Sequence, residues 1–394
     1  MTPSTEQLDA TYIAPTYARF PVEIVSGKGA MLTDAQGKQY IDMGTGIAVN
    51  TFGVADQPWI DAVTAQLALC QHTSNLFYSA PCARLAEALC ARTGMARVFF
   101  SNSGAEANEC AIKVARRYAA LHHGTDTYTI LTLRNSFHGR TLTTLAATGQ
   151  DAFHQDFLPL TPGFVYADAG DTDGVRRLLD EHRVAGILME MVQGEGGVLP
   201  LDPAFVTAVA QMAAERDILV MCDEVQCGNG RSGSLYAYMQ YGITPDVVST
   251  AKGLGGGLPI GATLLGPRVR DVLTPGSHGS TFGGNPVACA GALSILSRLD
   301  DALLSDVRRK SAQIFATLTG APGVRSVTGL GLMIGVETEA DAGAVLAEAR
   351  ARGVIAIRAK NKVRLLPPLN IPDKELEQAL TVLKEACAVA ASAL

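Results

Sequence analysis

The chain reads as an α/β protein built on a mainly parallel sheet, with a second, smaller α+β domain. Three observations predict this. Between about residues 95 and 265, short apolar runs alternate with helical segments; the last hundred residues break that rhythm; and 394 residues is long for one core but short for three. The apolar runs are Val98 to Phe100, Thr129 to Leu133, Gly186 to Met189, Ile218 to Met221, Val247 to Val248 and Ala262 to Leu265.

After the first run comes Ser101-Asn102-Ser103-Gly104-Ala105-Glu106, where Ser103 and Glu106 have capping-box spacing, so a helix is expected to start there. Its Ala107, Cys110, Ala111, Val114 and Tyr118 recur at helical spacing and are expected to face the sheet. Toward the carboxyl end, strands are expected around Met333 to Val336, Val354 to Ile357 and Val363 to Leu366, followed by a helix from Asp373. The first fifty residues hold strand-like pieces broken by Gly27, Gly29, Gly37, Gly44 and Gly46. The expected division is a segment 1–55 joining the small domain, a large domain 56–285 and a small carboxyl-terminal domain 286–394.

Composition narrows the function. Hydrophobic residues make up 47% and charged residues 18%, a balance that suits a compact protein rather than a disordered one. The net charge of -6 is scattered, with no basic run to follow a phosphate backbone, so nucleic acid is not an expected partner. No stretch is apolar for the roughly 20 residues that span a bilayer, and Glu6 and Asp9 stand where a targeting segment would be basic. A cytoplasmic protein is expected. The eight cysteines are dispersed, and Cys222 and Cys227 lack metal or redox spacing, so buried thiols and no metal site are expected.

Polar residues follow the apolar runs: Ser103, then Glu190 and Glu195, then Asp223, then Lys252. In a parallel sheet those ends meet in one crevice, where ligands bind. Taken alone, Asp223 fits a cation partner or a cap for the next segment equally well. Lys252 stands in Ser249-Thr250-Ala251-Lys252-Gly253-Leu254-Gly255-Gly256-Gly257, a loop whose glycines permit close approach to a ligand; taken alone it is a weak signal. Together, a lysine to form a Schiff base and an acid to keep a pyridine nitrogen protonated are what pyridoxal-phosphate (PLP) chemistry demands. Ser103, Gly104 and Ala105 put free N–H groups at a helix start, where a phosphate is favoured.

The segments SNSGAEANECAIKVAR, NSFHGRT, QGEGG, DEVQCGNGRSG, TAKGLGGGLPIGA and GSTFGGNP resemble those of class III (ω-amino acid) aminotransferases, in that family's order and over nearly the whole chain. HTSNLFY, GIAVN and RLLPPLN are most similar to the N-acetylornithine and succinylornithine branch. The resemblance implies the type I PLP-dependent transferase fold with a seven-stranded sheet. It implies that Lys252 binds PLP as the internal aldimine and then shuttles the proton, that Asp223 pairs with the pyridine nitrogen, and that Gln226 bonds the phenolic oxygen. Phe137 and Val225 would sandwich the ring, Ser103, Gly104 and Ala105 would hold the phosphate, and Thr281 would reach in from a second subunit of a homodimer with shared sites, unless it is a plain turn residue.

Arg140 matches the arginine that grips a substrate carboxylate, a bidentate task suited to a planar guanidinium, and Ser280 is expected beside the substrate. Glu195 and Arg364 match a gate that pairs while the amine donor binds and opens for 2-oxoglutarate; an ordinary ion pair is the alternative. His138 is expected to serve packing or a backbone hydrogen bond. Met191, Cys227, Ser232 and Asp56-Gln57 depart from the family pattern without removing a group the chemistry needs.

Gly44-Thr45-Gly46-Ile47 lacks the tyrosine with which ornithine δ-aminotransferases contact a free α-amino group. The implied reaction is therefore transamination of N2-acetyl-L-ornithine with 2-oxoglutarate, with succinylornithine, N-succinyl-diaminopimelate, ornithine and 4-aminobutyrate as alternative donors. A PLP isomerase or decarboxylase would share Lys252 and Asp223, and differs in consuming no 2-oxo acid. A regulatory protein would need a DNA-binding extension, which the stretch before residue 20 does not supply. A dinucleotide enzyme would need GxGxxG at the first helix, whereas the glycines here surround Lys252.

Overall fold

The computed structural model describes residues 3–393. A seven-stranded sheet forms its centre: β1 (Arg97–Ser101), β2 (Thr129–Leu133), β3 (Phe164–Ala167), β4 (Val184–Met189), β5 (Leu219–Asp223), β6 (Val247–Thr250) and β7 (Gly261–Leu265), in the order β1-β7-β6-β5-β4-β2-β3. Only β7 runs antiparallel, pairing so with both β6 and β1. The seventh strand, β3, is also a short apolar run, Phe164-Val165-Tyr166-Ala167, which was not singled out in sequence; it lies at the sheet's edge with only Ala167 fully buried.

Both faces of this sheet are covered, which is why its strands read as continuous apolar runs. Ile187, Met189, Val220 and Cys222 point into the larger core, while their neighbours Leu188, Leu219 and Met221 point into a second core under the helix Gly104–His122. That helix follows from its sequence. Ser103 has an extended backbone and its Oγ accepts the Glu106 N–H at 3.2 Å. Alanine and long unbranched side chains favour the turns that follow. Ala107, Cys110, Ala111 and Val114 are fully buried, as their spacing predicts. The capping arrangement differs in one bond: the Glu106 carboxylate accepts the N–H of Asn102, at 2.9 Å, and the Ser103 hydroxyl. It thereby ties the loop before the helix to the helix's first turn.

Two smaller sheets complete the fold. Strands Ile24–Lys28, Met31–Asp34 and Gln39–Asp42 form one with Val354–Ile355, which lies parallel to Gln39–Asp42. Val324–Leu330, Met333–Thr338, Lys362–Leu365 and Ile357–Ala359 form the other, all antiparallel. The stretch expected as one strand from Val354 to Ile357 thus breaks at Ala356 and serves two sheets. Helix Pro286–Leu296 packs on helices Gln57–Leu69 and Ala80–Thr93, and the long helix Asp373–Ser392 packs on Ala342–Ala351. No helix is long and apolar enough to cross a membrane among the described residues. Of the cysteines, Cys110, Cys222, Cys227, Cys289 and Cys387 are buried as expected, whereas Cys70 is exposed.

Candidate active site

The carboxyl ends of β1, β4, β5 and β6 open onto one cavity of about 600 Å³. Its wall includes Ser103, Gly104, Ala105, Phe137, Arg140, Asp223, Val225, Gln226 and Lys252, so nine residues singled out in sequence converge from four separate segments. Asp223 is the last residue of β5 and is 3% exposed. Its Oδ1 accepts the Val225 N–H at 3.0 Å, which is a turn cap; its Oδ2 accepts from Asn108 Nδ2 at 2.7 Å and lies 2.8 Å from His138 Nδ1. The cap reading of Asp223 is realised on Oδ1, while Oδ2 is held by an amide and an imidazole nitrogen.

The His138 contact corrects the expectation for that residue: its ring is fully buried against the Asp223 carboxylate, not against backbone. Nε2 of His138 has no partner among the described residues, and Glu190 is the next acid along. Burial pushes the Glu190 carboxyl up to about 7, although nearby His138 and the N–H groups of Phe137 and Gly194 favour the anion. Asn108 was not foreseen. It stands on the same helix face as Ala107, Cys110 and Ala111, and an amide inside an apolar stripe was the available signal. Its Oδ1 accepts from the Ser249 hydroxyl on β6, so one buried chain links helix, β5 and β6.

Lys252 opens a tight turn, Lys252–Leu254, with φ of 45°, a left-handed conformation uncommon outside glycine. Burial pushes its ammonium below lysine's ordinary pKa, with Glu195 opposing and Arg364 adding to the shift. The turn is held from behind: the Trp59 indole N–H donates to Gly255 O at 2.9 Å, and Thr51 Oγ1 donates to Gly253 O at 2.8 Å. A second strained stretch lies alongside, where Thr45, Gly46, Ile47 and Ala48 all have φ between 47° and 65°. Asp42 secures it by accepting the N–H groups of Gly44 and Thr45, and Val49, just after it, lines the cavity.

The site fits PLP on three observations. The start of a 19-residue helix leaves the Gly104 and Ala105 amides without intrahelical partners, and both residues line the cavity. A Cβ at Gly104 would lie 2.5 Å from Val225 Cγ1, so the phosphate end accepts no side chain there. Asp223 offers a buried, anchored carboxylate, and Lys252 an amine whose charge is disfavoured by its surroundings.

Glu195 and Arg364 lie behind Gln226 rather than on the cavity wall. Arg364 Nη1 donates to Glu195 Oε1 at 2.6 Å and to Gln226 Oε1 at 2.9 Å; Gln226 Nε2 donates to Glu195 Oε1 at 3.3 Å. Burial alone would raise the Glu195 carboxyl, but Arg364 holds it below the usual carboxylate range. The Arg364 side chain is 3% exposed, on the strand Lys362–Leu365, so the carboxyl-terminal sheet backs Gln226 from behind the wall. Ser280 is one step removed: its Oγ accepts from Asn102 Nδ2 at 3.2 Å, and Asn102 lines the cavity. Thr281 is exposed and outside the wall of this chain's cavity. Tyr17 lines the cavity from the amino-terminal segment, where no sequence signal marked it.

Comparison with known proteins places the chain in a family. The chain matches the family model "Aminotransferase class-III" over residues 12–387. It is 49% identical to an acetylornithine aminotransferase of Haemophilus ducreyi, covering 96% of this chain and 97% of that one, and 42% identical to one of Aquifex aeolicus, covering 95% and 99%. Among solved structures it is similar to N-acetylornithine aminotransferase from Stenotrophomonas maltophilia, with a TM-score of 0.85 at 35% identity over 98% of this chain and 99% of that one. With a lysine and an anchored acid facing across one cavity, and this likeness along nearly its whole length, the chain belongs to the class-III aminotransferase family.

Proposed function

We propose that the chain is a PLP-dependent aminotransferase that converts N2-acetyl-L-ornithine and 2-oxoglutarate to N-acetyl-L-glutamate 5-semialdehyde and L-glutamate, a step of arginine biosynthesis. The observation that carries the chemistry is the placement of Lys252 and Asp223 on the wall of one cavity. The acetylornithine aminotransferases among its relatives support the substrate. So does the stretch Gly44-Thr45-Gly46-Ile47, which lacks a tyrosine for a free α-amino group.

PLP, when bound, supplies an electron sink that stabilises charge at the substrate carbon. The residues divide the remaining work. Asp223, held by Asn108 and His138, would turn its carboxyl group to the ring nitrogen. Phe137, Val225 and Gln226 line the cavity; the first two would confine the ring and Gln226 would meet its phenolic oxygen. Ser103, Gly104 and Ala105 offer donors to the phosphate. Lys252 is the nucleophile toward the cofactor and, with an amine of depressed basicity, exchanges a proton with the substrate carbon. Arg140 takes a substrate carboxylate. The Glu195–Arg364 pair closes the far end for an amine donor and opens for a dicarboxylic oxo acid, so one pocket serves both.

The protein acts in the cytoplasm as a homodimer, with Ser280 beside the substrate and Thr281 delivered to the partner's cavity. Exposed Leu69, Leu76, Phe77, Tyr78 and Phe282, on and near the loop that carries Thr281, support an apolar interface. Glutamate formation from 2-oxoglutarate tests the reading, with N-acetylornithine, ornithine and 4-aminobutyrate as separate donors. The acylated donor is expected to lead in kcat/KM by about 10²-fold; equal or faster turnover of ornithine would overturn the assigned substrate.

A further inference from the structure

Arg140 is exposed and, among the described residues, makes no hydrogen bond or ion pair with another side chain or with backbone. A long cation with that freedom would ordinarily sample many rotamers, and fixing it would cost a substrate much of its binding energy. What holds it is aromatic. The guanidinium carbon sits 4.1 Å from the centroid of the Phe153 ring and 5.4 Å from that of Phe137. The two rings meet edge to face, 5.9 Å apart at 77°.

We infer that Phe153 is a positioning residue for substrate: its ring is a platform that fixes the plane of the Arg140 guanidinium while leaving every N–H free for a carboxylate. The inference rests on the proposed carboxylate role of Arg140. A cation over an aromatic face within about 6 Å is attracted by the ring quadrupole, and stacking uses none of the guanidinium's in-plane donors. An acidic partner would hold the arginine as firmly but would compete with substrate for the same donors.

The platform is itself built. Phe153 ends the short turn Asp151–Phe153, and the next residue, buried His154, places Nε2 3.0 Å from Leu145 O and 2.8 Å from Thr148 O. Gln150 Nε2 donates to Ser136 O at 3.0 Å, and Gly149 N donates to Ser136 Oγ at 3.0 Å. These bonds fasten the turn to the loop that carries Phe137 and Arg140, so ring and guanidinium share one frame. No motif flagged Phe153, because the signal is a stacking partner thirteen residues away from Arg140 in a loop of irregular spacing.

The test uses the PLP-loaded enzyme and three variants: Phe153→Leu, which keeps apolar bulk without a π-face, Phe153→Tyr, which keeps the face, and Arg140→Lys. Steady-state KM for N-acetylornithine is read beside the rate at which hydroxylamine, which has no carboxylate, consumes the absorbance of bound PLP. Phe153→Leu is expected to raise KM by about 3–30-fold with little change in kcat or in the hydroxylamine rate, and Phe153→Tyr to recover most of the loss. If Arg140→Lys raises KM but Phe153→Leu does not, the platform is overturned and the role of Arg140 stands. If neither raises it, the carboxylate role of Arg140 falls first. An equal drop in the hydroxylamine rate for Phe153→Leu would mark general disruption and would also overturn the inference.

Discussion

The two ends of the cavity are built differently. At the cofactor end, Asp223, Asn108, Ser249 and His138 are buried and joined by bonds of 2.5–2.8 Å that connect the central sheet to its covering helix. At the substrate end, Arg140 stands on aromatic rings, Tyr17 comes from an exposed amino-terminal segment, and Glu195 and Arg364 hold each other across a strand from a different sheet. The first end is fixed by the same contacts that fix the fold. The second is held by an ion pair and by stacking, and on the proposed reading would meet substrates of different charge without moving the sheet. Preorganisation belongs where charge develops, and adaptability where partners alternate.

That contrast predicts graded losses. Removing the nucleophile should be most severe: Lys252→Ala is expected to lower the single-turnover rate with N-acetylornithine by about 10⁴-fold, since it deletes both covalent attachment and proton transfer. Asp223→Asn should cost about 10³-fold in kcat, roughly 4 kcal/mol of transition-state stabilisation, with the melting temperature showing whether the buried network survives. A fall of similar size in both stability and kcat would mean that fold and chemistry are less separable at this end than argued.

At the other end, Glu195→Gln should change selectivity more than rate. Arg364, freed from its partner, is expected to bind 2-oxoglutarate about 10-fold more tightly, a shift visible in KM for the oxo acid. Unchanged KM would show that the pair is structural. The same substitution removes the carboxylate that opposes the depression of Lys252, so the pKa of that amine should fall further below lysine's ordinary value.

Glu224 gives a pH test of the fixed end. It is fully buried next to Asp223, accepts the N–H groups of Ala237 and Tyr238, and burial pushes its carboxyl up to about 7 from 4.5. The folded state therefore holds a proton that the unfolded chain has released between those pH values, so this group's contribution to stability falls as pH rises from about 4.5 through about 7. Glu224→Gln should flatten the pH dependence of urea unfolding in that window by up to about 1.4 kcal/mol per pH unit. A slope identical to that of the parent would contradict the assignment. The smallest effect expected is that of Trp59→Phe, which removes one hydrogen bond to Gly255 behind the Lys252 turn and should cost about 1 kcal/mol of stability.

What could be read from sequence divides along the same line. Six of the seven central strands and the helix after β1 were legible because burial on both faces writes continuous apolar runs and helical spacing directly into the chain. Ser103, Asp223 and Lys252 were legible because strand ends of a parallel sheet share one edge. His138 was misread, since its partner Asp223 is 85 residues distant and only folding brings the two together. Tyr17 and Phe153 left no trace for a related reason: each acts through a contact made by an irregular segment, where spacing carries no geometric meaning. Edge strand β3 carries the same apolar signature in Phe164-Val165-Tyr166-Ala167 and was not singled out, although only Ala167 is fully buried.

The most direct test of the central claim is chemical. Purified enzyme loaded with PLP is reduced with borohydride, digested, and the peptides are mapped by mass spectrometry. The account predicts a single reduced phosphopyridoxyl adduct on Lys252, absent from Lys252→Ala; an adduct on another lysine, or none in the parent protein after loading, would contradict it.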